Sequence, residues 1–133
     1  MTAVQPQPTG RVALVADDDQ DIRDLVTTKL SGSGFTVIAV SDGDAALIAA
    51  REKHPDIALL DVMMPGPSGL EIVRLLREDP ATATIPVILL SAKSQEFDVE
   101  AGLSLGAADY VVKPFSPRDL VARVEAALSR ART

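Results

Sequence analysis

Five short, almost unbroken apolar runs, at residues 12–16, 37–40, 57–60, 87–90 and 110–112, constrain this chain more than any other feature. Each has the length of a strand, and continuous rather than alternating apolarity marks strands covered on both faces, as in a parallel sheet. The segments between them carry helical spacing. It is clearest in Ile22, Leu25, Val26 and Leu30, then in Ile72, Val73 and Leu76, and last in Leu120, Val121, Val124 and Leu128. Residues 42–54 are alanine-rich and read as a helix capped by Ser41 or Asp42. Residues 94–105 give the weakest helical pattern, because Phe97, Val99, Leu103 and Leu105 form no clean stripe; a mobile helix is one reading of that irregularity. Strand and helix alternating five times require right-handed crossovers and helices on both faces of one sheet. The expected fold is α/β, a flavodoxin-like doubly wound parallel sheet of five strands in the order 2-1-3-4-5, with five helices.

A chain of 133 residues with 47% hydrophobic and 24% charged residues suits one globular domain with one ordinary core. The expected division is a flexible tail over residues 1–10, the domain over 11–130 and a short tail over 131–133. The net charge of -6 and the lack of any Lys and Arg run argue against direct binding to nucleic acid or anionic lipid. With no cysteine there is no disulfide framework or thiolate metal site. The polar, proline-containing start lacks the apolar stretch of an export signal, and no run approaches membrane-spanning length, so a soluble, cytoplasmic protein is expected.

In a doubly wound sheet, ligands bind beyond the carboxyl ends of the strands, where strand order reverses. There the first strand runs into Asp17, Asp18 and Asp19, the third ends at Asp61, the fourth at Ser91 and the fifth at Lys113. Carboxylates brought together repel unless neutralised, and an oxygen-rich acidic pocket suits a hard cation, Mg2+ above all. Helix capping by Asp18 or Asp19 accounts for one aspartate but not for three in series facing a fourth. An EF-hand reading of Asp17, Asp19 and Asp21 fails, since Ile22 stands where the loop needs Gly and Thr28 where it needs Glu. A carboxylate such as Asp61 can attack phosphorus when a metal and a cation screen the developing charge, and Lys113 would be that cation. Ser91 could cap the following helix or donate to a phosphoryl oxygen. Lys113 could merely snorkel, although its place between an apolar strand and Pro114 argues otherwise. His54 receives no chemical role. Met63 and Met64 read as packing at a strand end, with only the Met63 carbonyl a candidate for the site.

These residues resemble the receiver domains of two-component signalling over about residues 11–130. The likeness rests on Asp17 and Asp18 after the first strand, the stretch from Asp61 to Gly69 (DVMMPGPSG), the Ser91-Ala92 pair, and the stretch from Gly106 to Phe115 (GAADYVVKPF). The resemblance implies that Asp61 accepts a phosphoryl group from a sensor histidine kinase or phosphotransfer protein. It also implies that Asp18, Asp61 and the Met63 backbone carbonyl hold Mg2+, with Asp17 acting through water. Lys113 would pair with the acceptor and phosphoryl oxygens, while Ser91 and Tyr110 would act as the switch. The output would be a population shift on the face formed by the fourth helix, fifth strand and fifth helix, toward an effector that the sequence does not name. A cis peptide before Pro114 is implied as well, and Met63 and Lys93 fall where the family tunes dephosphorylation. Such a domain assists its own phosphorylation and dephosphorylation but is a switch, not an enzyme acting on a separate substrate. The segment 107–110 and Glu125 depart from the more charged pattern of receivers that dimerise through that face; a monomer or a weak phosphorylation-dependent dimer is expected.

Three rivals share parts of this pattern. A haloacid dehalogenase phosphatase would need a second aspartate two residues after the nucleophile, where Met63 stands. A pseudo-receiver would have lost an acidic residue or the lysine, and both are present. A flavodoxin would offer hydroxyls and amides to its phosphate in the first loop, whereas this loop offers three negative charges.

Overall fold

A computed structural model describes residues 10–92 and 96–131; the side chains of 96–98 are not described. Most of the expected amino-terminal tail, the last two residues, Lys93 and the start of the weakest helix therefore lie outside the described residues. Strands and helices alternate as β1 (Val12–Ala16), α1 (Gln20–Gly32), β2 (Thr36–Val40), α2 (Gly43–Lys53), β3 (Ile57–Asp61), α3 (Gly69–Glu78), β4 (Val87–Ser91), α4 (Glu96–Ser104), β5 (Asp109–Val112) and α5 (Pro117–Ala131). All neighbouring strands pair in parallel, in the order β2-β1-β3-β4-β5, as expected from the sequence.

The unbroken apolar runs conceal a two-residue alternation, because both faces of the sheet are covered. Leu14, Ala58, Leu60, Val87 and Leu89 face a layer made with Ala46 and Ala50 of α2 and Ile72, Val73 and Leu76 of α3. Ala13, Val15, Ile57, Leu59, Ile88 and Leu90 face the opposite layer, with Val26 and Leu30 of α1 and Leu120, Val124 and Leu128 of α5. The edge strand β2 is the exception, being partly exposed along its length.

Helix starts follow local chemistry. Asp19, not Asp18, caps α1, its carboxylate accepting from the Asp21 and Ile22 amides, and Asp42 caps α2 through the Ala45 amide. Ser68 caps α3 through the Glu71 amide. His54 ends α2 in a left-handed conformation, φ 46°, a backbone role at the helix end just before Pro55.

The irregular pattern of the fourth helix has a packing cause. Gly102 is buried, and a Cβ on it would lie 2.6 Å from Leu89 Cδ1 and 3.4 Å from the Tyr110 ring. At Gly102 the helix approaches the sheet through a missing side chain, Val99 packs partly buried against the same layer, and Leu103 is left 47% exposed.

Candidate functional site

Strands β3 and β4 extend one residue further than their apolar runs, and this sets the site. Asp61 pairs in register with Leu90, and Ser91 with Val112, so both polar residues are themselves the last rungs of the ladder. Asp61 is 5% exposed and Ser91 1%. Next to them the Val62 amide donates to the Leu90 carbonyl, and the Lys113 amide to the Ser91 carbonyl at 2.7 Å. These bonds fix where the chain leaves β3 and β5. The peptide between Lys113 and Pro114 is cis, as the resemblance implied.

Carboxylate oxygens of Asp17, Asp18 and Asp61 lie within 4.8 Å of one another. Asp17 is fully buried and Asp18 exposed, so the cluster has a dry side and a side open to solvent. Lys113 Nζ sits 2.7 Å from Asp17 Oδ2 and 3.5 Å from Asp61 Oδ2. The tighter contact goes to Asp17, because a carboxylate without solvent access needs a direct counter-charge. Asp17 also accepts from the Asp19 amide at 2.9 Å, which ties the acidic loop to the cap of α1.

Among the described residues, one lysine faces three carboxylates, which leaves that group net negative, and the protonation equilibria record it. Burial, followed by the charge of Asp17, raises the Asp61 carboxyl to about 6, against the opposing pull of Lys113 and the Met63 amide. Burial alone would lower the Lys113 ammonium, yet its hydrogen bond with Asp17 and the charges of Asp61 and Asp17 outweigh this and raise it above its ordinary value. An oxygen-only, net-negative donor set with one solvent-facing ligand fits Mg2+, which keeps several waters and takes one or two carboxylates.

Tyr110 is 7% exposed and belongs to the core layer with Leu89 and Ala107. Met63 corrects the packing expectation: it is 59% exposed on the loop after Asp61, while Met64 packs against the core. The difference arises because the Met63 amide turns back to Asp61 Oδ1 at 3.2 Å, so the side chain faces out. Glu125 pairs with Arg11 at the start of β1, 2.8 Å, and Arg123 bridges Asp109 and Asp119 within the β5-α5 face. Sequence reasoning missed Arg23; its Nη1 donates to the Asp17 carbonyl at 2.8 Å and braces the acidic loop. Its place six residues after Asp17, on the first turn of α1, was the available signal.

A sequence profile of the response regulator receiver domain matches residues 13–125. The chain belongs to the receiver family of two-component signalling. Among relatives, this receiver is 47% identical over 117 residues to the DNA-binding response regulator MtrA of Mycolicibacterium smegmatis, covering 88% of this chain and 50% of that protein. It is 48% identical over 122 residues to the transcriptional regulatory protein GltR of Pseudomonas aeruginosa, covering 92% of this chain and 50% of the other. The chain thus spans about half the length of these curated relatives. The crystal structure of the BeF3-activated N-terminal receiver domain of Klebsiella pneumoniae RstA superimposes with a TM-score of 0.82 at 29% identity, covering 89% of this chain and 98% of that one. No described helix of the receiver is long and apolar enough to cross a membrane.

Proposed function

We propose that Asp61 is the phosphoacceptor of a Mg2+-dependent signalling switch. The observation that carries this is the convergence of three carboxylates within 4.8 Å, with Lys113 reaching both Asp17 and Asp61. In this reading Asp18, Asp61 and the Met63 carbonyl hold Mg2+, and Asp17 supports it through water. The bound ion supplies charge screening between the nucleophile and the phosphoryl oxygens. With its carboxyl near 6, Asp61 is mostly ionised at neutral pH and attacks phosphorus directly. The new bond is O–P; the bond that breaks is N–P of a kinase phosphohistidine, or the corresponding bond of a small phosphodonor. Lys113, held protonated by Asp17, stays beside Asp61 as charge accumulates. The Ser91 hydroxyl then donates to a phosphoryl oxygen, and Tyr110 adjusts within the core behind it. That adjustment shifts populations on the α4-β5-α5 face, through which the cytoplasmic domain signals. The partners are a sensor histidine kinase or phosphotransfer protein and, on the likeness to MtrA, a DNA-binding effector.

Beryllofluoride, a phosphoryl mimic used to activate RstA, tests the reading. Tyr110 is the sole tyrosine and there is no tryptophan, so its emission is a clean reporter. Emission should change only when Mg2+ and beryllofluoride are both present, and not in Asp61→Asn. A response that ignores Mg2+, or that survives in the variant, would remove Asp61 from this role.

A further inference from the structure

The segment that follows Asp61 is seated on a second element. Gly43, the first residue of α2, donates its amide to the Pro65 carbonyl at 2.9 Å. It is buried, and a Cβ built on it would stand 2.0 Å from the Pro67 carbonyl oxygen and 2.9 Å from the Pro67 carbonyl carbon and nitrogen. Those are backbone atoms of the loop, so no side chain can turn aside to make room. The next residues continue the contact: a Cβ on Gly66, φ +80°, would come within 3.0 Å of Asp44 Oδ2. At its far end the loop closes on itself, with the Gly69 amide donating to the Val62 carbonyl at 3.1 Å. A Cβ on Gly69 would lie 2.5 Å from the Asp61 carbonyl oxygen. Residues 62–68 are therefore held between the ladder rung at Asp61 and the start of α2, at two positions where only hydrogen fits.

We infer that Gly43 is a positioning residue for the metal site, setting the place of the loop that carries Met63 by letting the Pro65 to Pro67 backbone rest directly on the start of α2. This rests on the proposal that Asp61 and the Met63 carbonyl hold Mg2+. Gly43 itself touches neither metal nor phosphoryl group. Its effect is that of an outer support, whose loss typically weakens metal binding by about 10- to 100-fold. A methyl group at this position lifts the loop from its seat and moves the Met63 carbonyl relative to the carboxylates, while Asp17, Asp18 and Lys113 stay where other elements hold them.

The test is a Mg2+ titration of the wild-type protein, Gly43→Ala and the control Gly32→Ala, followed by calorimetry, with the folded fraction of each set by urea unfolding. Nothing lies within 4 Å of the place a Gly32 methyl would occupy, so that variant reports only a generic glycine replacement. Under conditions where it is folded, Gly43→Ala should bind Mg2+ about tenfold or more weakly, with Gly32→Ala unchanged. A folded Gly43→Ala with lowered stability but wild-type Mg2+ affinity would overturn the inference, since a merely structural glycine behaves in that way. If Gly43→Ala does not fold, amide hydrogen exchange on the wild-type protein decides. Mg2+ should slow exchange of the Gly43 amide more than that of the Asp56 amide, which donates to the Val12 carbonyl at the opposite end of the strands. Equal effects at the two amides would overturn the inference. Failure of the wild-type protein to bind Mg2+ would instead overturn the underlying site.

Discussion

At the scale of single residues, the pocket is a set of charges that do not balance, and Asp61 bears the cost. A carboxyl raised to about 6 binds protons more readily in the folded protein than in the unfolded chain, whose aspartates titrate near ~4. Stability therefore falls as pH rises from ~4 through ~6, and the full penalty applies above that window. It amounts to on the order of 3 kcal/mol, because about two pKa units are each worth ~1.4 kcal/mol. Replacing the carboxylate with the isosteric amide should relieve it. Urea unfolding with EDTA at pH 7.5 should find Asp61→Asn more stable than wild type by about 1 to 3 kcal/mol, with the gain shrinking as pH approaches ~4. A variant no more stable than wild type at pH 7.5 would contradict this assignment of charge. Residue chemistry of this kind was legible in the sequence as residue types: Asp17, Asp18, Asp61 and Lys113 all stand at strand ends. Which carboxylate Lys113 prefers was not legible, since that depends on Asp17 being fully buried and Asp61 slightly less so.

Elements were legible where burial is periodic and obscure where contact is made without a side chain. The stripes of α1, α3 and α5 are where Val26 and Leu30, Ile72 and Leu76, and Leu120 and Val124 meet the sheet. The α4 pattern is obscure where Gly102 makes the close contact, because no periodicity rule assigns weight to a glycine. The same logic hid Gly43 and the brace from Arg23: a missing methyl and a side chain bonded to a carbonyl leave no apolar signature. Gly102→Ala should destabilise the protein. The added methyl would stand 2.6 Å from Leu89 Cδ1 inside the core, and overpacking costs about 1 to 3 kcal/mol, offset by up to ~1 kcal/mol of better helix propensity. Chemical denaturation should show a net loss near ~1 kcal/mol. Unchanged or increased stability would mean that α4 moves away from the sheet at little cost.

For the whole molecule, the sheet separates support from chemistry. At one end of the strands Arg11, stacked 4.3 Å over the Phe35 ring and paired with Glu125, ties β1 to α5. At the other end the last rungs of β3 and β4 and the loop after β1 deliver Asp61, Ser91 and the acidic cluster. The fold was legible because five apolar strands joined by helices leave few right-handed topologies, and the reversal of strand order marks where polar residues can gather. In the proposed switch, Asp61 accepts a phosphoryl group at this end of the sheet. Intact-mass spectrometry of the protein incubated with acetyl phosphate tests it most directly, with and without Mg2+ and beside Asp61→Asn. One phosphoryl adduct should appear, formed only with Mg2+ and absent from the variant. An adduct that persists in Asp61→Asn, or its absence from wild-type protein shown to bind Mg2+, would contradict the claim.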